Sequence, residues 1–160
     1  MAQRTSSEGL AFIDQHEDFG GVPELEAYRD AAGIWTIGNG TTRYPDGTPV
    51  KAGDTCTVDE ATAYQQHDLA RTEAAINTSV KVPLAQCQFD ALASFTYNVG
   101  IDAAEHSTLL SLLNRGDYRG AAAHFTDWDK DREGGQLVVS AGLLQRRKDE
   151  AALFSKGILS

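Results

Sequence analysis

Cysteine is nearly absent from this 160-residue chain: Cys56 and Cys87 are the only two, far apart and without Cys-x-x-Cys spacing. Two reduced, structural thiols suit an intracellular chain better than a disulfide does. Histidine is scarce too, and His16, His67, His106 and His124 form no His-Glu-x-x-His pattern, so no metal site is expected. No apolar run approaches the roughly 18 residues that cross a bilayer. The opening stretch, Met1 to Glu8, lacks the apolar centre of a signal peptide. A chain made in the cytosol that cannot export itself by that route is the expectation. Cations are also in short supply, 14 Lys and Arg against 23 Asp and Glu, for a net charge of −9. That balance excludes general nucleic-acid binding, which needs clustered cations, and repels anionic membranes at low salt.

What is present is an ordinary globular composition, 41% hydrophobic and 23% charged, in a length that suits one domain. Leu10, Phe12 and Ile13 share one stripe of a helix over 6–17, with Ser6 or Ser7 available as its cap. From Gly20 to Gly53, seven glycines and three prolines exclude long helices. Ile34 to Gly38 reads as a strand and Pro45-Asp46-Gly47 as a tight turn, giving a small antiparallel sheet of about three short strands. Thr57 and Glu60 form a capping box, which opens a long helix that runs up to Pro83. Further helices are expected over Gln86–Val99, Ser107–Asn114, Tyr118–Trp128 and Leu143–Lys156, with Gly100 and Gly116 as helix ends. Asp127, Asp129, Asp131 and Glu133 read as a charged, solvated loop broken by Gly134-Gly135. The fold class is α+β: a small antiparallel β lobe of about 18–56, joined by a long helix to a mostly helical lobe of 1–17 and 57–160.

The chemistry lies between the first helix and the strand, where Glu17, Asp18, Glu24, Glu26 and Asp30 precede Thr36. Two carboxyl groups facing each other across a cleft serve glycosidic cleavage, one protonated to donate to the leaving oxygen and one ionised. Glu17, at a helix end beside Phe19, suits the acid; Asp30, on a polar turn, suits the ionised partner. Spacing alone leaves solvated surface carboxylates as the commoner reading.

The segment from Ala27-Tyr28-Arg29-Asp30 through Trp35-Thr36-Ile37-Gly38 to Thr41-Thr42, with His16-Glu17 before it, resembles the active-site region of phage-type lysozymes. These are the endolysins of glycoside hydrolase family twenty-four. The resemblance continues in order through Lys81-Val82-Pro83-Leu84, Gln88 to Leu92, Phe95 to Gly100, Ser107 to Leu110, Leu113 to Tyr118 and Gly142 to Arg147, and so spans about 8–157. It implies a lysozyme-like fold and a muramidase that hydrolyses the β-1,4 bond between N-acetylmuramic acid and N-acetylglucosamine in peptidoglycan, without cofactor or metal. It places the family's acid at Glu17 and its water-positioning pair at Asp30 and Thr36, with Thr42, Tyr97 and Thr108 as substrate contacts. A monomer acting on glycan strands of the cell wall follows. It would bind neither nucleic acid nor, stably, a membrane, and would leave the host cytoplasm by a separate holin or carrier.

Three departures from the family pattern stand out. Asp18 follows Glu17 where the family commonly has Gly. Asp30 follows Glu17 by 13 positions, a longer gap than usual, which leaves Glu24 and Glu26 as rival acids. Asn39 and Thr41 replace a frequent aromatic residue and a frequent His. The altered segment motivates an alternative reading, a catalytically weakened peptidoglycan-binding or virion-structural domain. Of the other residues, Trp35 and Trp128 read as half-core, His16 as surface, and Arg146 and Arg147 as ion-pair or cleft-wall residues.

Overall fold

The computed structural model describes residues 2–16 and 22–158, and of Arg132 and Glu133 the backbone alone. Helix α1 (Ser7–His16) is followed by β1 (Glu24–Arg29), β2 (Trp35–Gly38) and the long α2 (Val58–Ser79). Then come α3 (Gln86–Val99), α4 (Ile101–Glu105), α5 (Thr108–Asn114), α6 (Tyr118–Ala122), a 3-10 turn (Phe125–Trp128), β3 (Lys130–Glu133), β4 (Gln136–Val139) and α7 (Ala141–Ser155). The architecture is α+β, with two small antiparallel sheets among helices.

Helix α1 starts at Ser6, whose hydroxyl accepts from the Gly9 N–H at 3.1 Å and donates to Asp90 of α3 at 2.5 Å. The helix thereby joins the helical core through Ile13, although the sheet follows it in sequence. Helix α2 has the capping box expected of Thr57 and Glu60. At 22 residues it is about 33 Å long and reaches two separate cores. Ala61 and Tyr64, near its start, pack with Ile37, Val50 and Cys56 under the sheet; Leu69 and Ile76 pack with Phe89, Leu92, Phe95, Leu109 and Phe154. Helix α3 is central: every residue from Gln88 to Thr96 is buried.

The structure departs from the sequence reading in five places. The expected three-stranded sheet is two strands plus single bridges, Glu26 to Thr55, Ile37 to Thr41 and Arg43 to Pro49. A bulge between Glu24 and Tyr28 breaks the ladder, and Pro49 cannot donate to one. Helix α2 ends at Ser79, where Val80 turns to an extended backbone, and the chain bends at Val82 before Pro83. The segment Tyr118–Trp128 is split, because Phe125 turns fully into the core, edge-on to Phe95 at 5.4 Å and to Phe154 at 5.5 Å. The expected charged loop is a hairpin: Lys130 pairs with Val139 and Glu133 with Gln136, and Gly134 and Gly135 take the turn with φ of 58° and 84°. That Gly-Gly was a hairpin signal in its own right. Helix α4, also unforeseen, is a five-residue continuation after Gly100.

The sheet meets α2 at Gly38, where φ is +66° and an added Cβ would lie 3.1 Å from the Ala61 Cβ. Gly38→Ala is therefore expected to cost about 1–3 kcal/mol, from the left-handed backbone and the crowding together. Urea unfolding checks this; a change below a few tenths would show that strand β2 can shift away from α2.

Candidate active site

A groove of about 790 Å³ lies between the sheet and the helices, walled by the end of α1, the Asp30–Ile34 turn, the end of α3 and the start of α7. The Asp30 backbone and side chain close that turn. Its N–H donates to the Ile34 carbonyl at 2.9 Å, and its carboxylate accepts from the Ile34 N–H at 2.8 Å. Gly33, at φ +82°, lets the chain reverse there. Thr36 stands opposite Tyr28 in the ladder and is buried, its hydroxyl donating to the Ile34 carbonyl at 2.9 Å. One short turn thus fixes both an acidic and a hydroxyl group on the same wall.

Tyr97 crosses the groove. Its hydroxyl donates to the Asn39 carbonyl at 2.9 Å, tying α3 to the turn after β2. Below it Thr41 donates to Asp68 of α2 at 3.0 Å. Burial pushes the Asp68 carboxyl up, and the Thr41 hydroxyl opposes this.

Of the residues singled out by sequence, Asp30, Thr36, Thr42 and Tyr97 line this groove together. Thr108 does not: it is exposed on the first turn of α5. Glu17 and Asp18 lie outside the described residues, but His16, immediately before Glu17, lines the groove. Neither Glu24 nor Glu26 is among the described residues that line it, and Glu26 is exposed opposite Thr55. Trp35 belongs to the smaller core, with the Arg29 guanidinium 4.9 Å above its ring. Trp128 packs on Phe95 at 6.0 Å and also borders a side pocket of about 410 Å³ with Asp30, Lys130 and Asp131. Asp131 is a groove residue that sequence reasoning placed in a solvated loop; the Gly-Gly hairpin signal was the clue to its position.

His16 is less exposed than its sequence suggested, with 13% of its side chain accessible. Its ring packs on Phe12 at 4.8 Å, its Nε2 lies 3.2 Å from Asp149 and its carbonyl accepts from Arg146 at 3.4 Å. Burial, then the Arg146 charge, lower its pKa, against the pull of Asp149.

A groove between a small sheet and a helical body, with carboxyl and hydroxyl groups on the wall that a single turn builds, is an arrangement suited to a lysozyme-like glycosidase. The family model "Phage lysozyme" matches residues 17–150. The chain is 41% identical over 149 residues to an endolysin of Acyrthosiphon pisum secondary endosymbiont phage 1, covering 93% of this chain and 96% of the relative. It is 39% identical, with the same coverage, to the endolysin of Salmonella phage P22. Its fold matches the solved endolysin from Escherichia coli O157:H7 phage FAHEc1 with a TM-score of 0.82, at 43% identity over 96% of this chain and 94% of the other. The chain belongs to the phage lysozyme family and is a glycosidase of the muramidase, endolysin type.

Because folding lowers the proton affinity of His16, the unfolded chain binds more protons than the folded one as the pH falls through 6.5. This residue therefore withdraws stability on the acid side and none above its ordinary range. An NMR titration of the His16 ring should give a midpoint below 6.5, rising when Arg146 is replaced by Gln. A midpoint at or above 6.5 in the intact protein would mean that Asp149 outweighs burial.

Proposed function

We propose that the groove binds a glycan strand of peptidoglycan and that Glu17 protonates the oxygen leaving its β-1,4 bond, while Asp30 and Thr36 position the attacking water. The observation that carries this reading is the convergence of Asp30, Thr36, Thr42, Tyr97 and the residue before Glu17 on one groove. Asp30 and Thr36 hold the same turn, so the water they orient has a fixed approach, which is how positioning lowers a barrier. Thr42 and Tyr97 contact the sugars at the crossing between sheet and helices, and Thr108 would contact the strand only beyond the groove. The β lobe of about 18–56 and the helical lobe grip the strand from either side. The enzyme acts as a monomer without cofactor or metal, on the wall and without stable membrane association. It leaves the host cytoplasm through a separate holin or carrier. Among the described residues no helix is long and apolar enough to cross a membrane.

Glu17→Gln should abolish clearing of peptidoglycan while leaving the fold intact, since an amide cannot deliver the proton. Asp30→Asn and Thr36→Ala should be impaired as well. Retained activity in Glu17→Gln together with loss in Glu24→Gln or Glu26→Gln would transfer the acid role along the chain. Sacculi that bind the wild-type protein without being cleared would identify a binding domain instead. Product anomers test the water: direct attack inverts the configuration, so initial retention of β product would rule the scheme out.

The net charge of −9 gives a second expectation. Like charge slows encounter with an anionic wall when the Debye length is long, and salt shortens that length from about 30 Å at 0.01 M to about 3 Å at 1 M. Initial clearing rates should hold or rise from about 10 mM to about 600 mM NaCl. A steep monotonic fall would show that local positive charge at the surface, rather than the net charge, governs encounter; Arg146 and Arg147, both buried, are not that charge.

A further inference from the structure

Behind the groove, one stretch of α7 buries Arg146, Arg147 and Glu150, the last two with no exposure at all. Three charges in a core are costly, and apolar residues of similar volume hold helices together as well or better. The geometry gives the cluster a more specific task. One Glu150 oxygen accepts from the Ser94 hydroxyl at 2.5 Å and from Arg146 Nε at 3.3 Å. The other accepts from Arg147 at 2.7 Å.

Each arginine then reaches a different wall of the groove. Arg146, itself a lining residue, donates to the Ser94 carbonyl at 3.1 Å and to the carbonyl of His16, the last residue of α1. Arg147 lies over the Phe95 ring and donates to the side-chain carbonyl of Asn98, another lining residue, near the end of α3. A carboxylate that touches no substrate therefore sets two groups that border the groove.

We propose that Glu150 is a positioning residue of the hydrolytic site: through Arg146 it fixes the end of α1, from which Glu17 follows, and through Arg147 it fixes Asn98. This rests on the reading of the groove as that site. All the partners of the carboxylate are donors: Arg146 and Arg147 on its own helix and Ser94 on α3. His16 of α1 faces Arg146 and Asp149, and Glu150 is bonded to both guanidiniums that oppose protonation of His16; burial pushes the Glu150 carboxyl up, and those two guanidiniums and Ser94 work against this.

Glu150→Gln keeps the shape and removes the charge. On solubilised glycan fragments it should lower kcat about 100-fold with KM held within about twofold, as expected for misplacement of reacting groups. Both limbs of its pH–rate profile should move to lower pH, and the His16 midpoint should fall, because two guanidiniums are then left uncompensated. Ser94→Ala, which removes two hydrogen bonds, one to Glu150 and one from Arg146, and no charge, should lower kcat about 10-fold with KM and the pH profile held.

A folded Glu150→Gln variant with normal kcat, or with an unmoved His16 midpoint, overturns the proposal. So does a fall in kcat that only tracks the fraction unfolded. Should Glu150→Gln fail to fold, Ser94→Ala decides: normal kcat there overturns the proposal, and the split between kcat and KM sustains it. Activity retained by Glu17→Gln would refute the acid assignment alone, since the Glu150 and Ser94 effects are read on kcat and on the His16 ring whichever group donates the proton.

Discussion

The carboxylate of Glu150, buried between two guanidiniums and the Ser94 hydroxyl, is the constraint on which the rest of the groove depends. A buried ion cluster differs from an apolar contact in its geometry: apolar surfaces tolerate sliding, whereas charge-assisted hydrogen bonds hold atoms within a few tenths of an ångström. Removing one member leaves the others desolvated and unpaired, so the arrangement is kept or lost as a unit. Three helices converge there. Arg146 spans from α7 to the end of α1 and to α3, and Arg147 reaches further along α3. The wall of the groove contributed by the helices is therefore as rigid as the core behind it.

The opposite wall is built differently. The sheet is short, bulged and dependent on single bridges, and a two-stranded ribbon has little stability of its own. Its order is borrowed from α2, which places Ala61 against Gly38 and Tyr64 in the small core. Two polar links complete the junction: Tyr97 to the Asn39 carbonyl, and Thr41 to Asp68. Both involve the turn that follows β2. Residues on the sheet wall can then face residues on the helical wall at a set distance, although Asn39 and Tyr97, which join the two, stand 58 positions apart in sequence.

Electrostatics runs on two scales here. The whole molecule is acidic, which shapes its encounters with other anions over a Debye length. Within the groove, the buried cluster carries two positive charges against one negative, close to His16. Low dielectric strengthens such local fields relative to the screened surface charge. The net charge of the chain is thus a poor guide to the local potential in the groove.

Much of this was legible in the residues. The capping box at Thr57, the apolar period of α3, the turn formers between Gly20 and Gly53 and the strand at Trp35 are local signals. Their physics acts within a few positions of the chain. The ordered motifs also named the family, and with it Asp30, Thr36, Thr42 and Tyr97 as residues to follow. Other features were decided only by tertiary contact. Phe125 broke an expected helix because its ring gained more in the core than the helix lost. Residues 130–139 paired as a hairpin and brought Asp131 to the groove, against a reading that weighed charge above the Gly-Gly turn. His16 changed from a surface residue to a half-buried one because α7 lies against the end of α1. Arg146 and Arg147 read as ion-pair residues, yet Glu150, the partner that orders both, carried no sign of burial in sequence. A charge is buried only when donors from distant segments meet around it, and that meeting is a property of the folded chain.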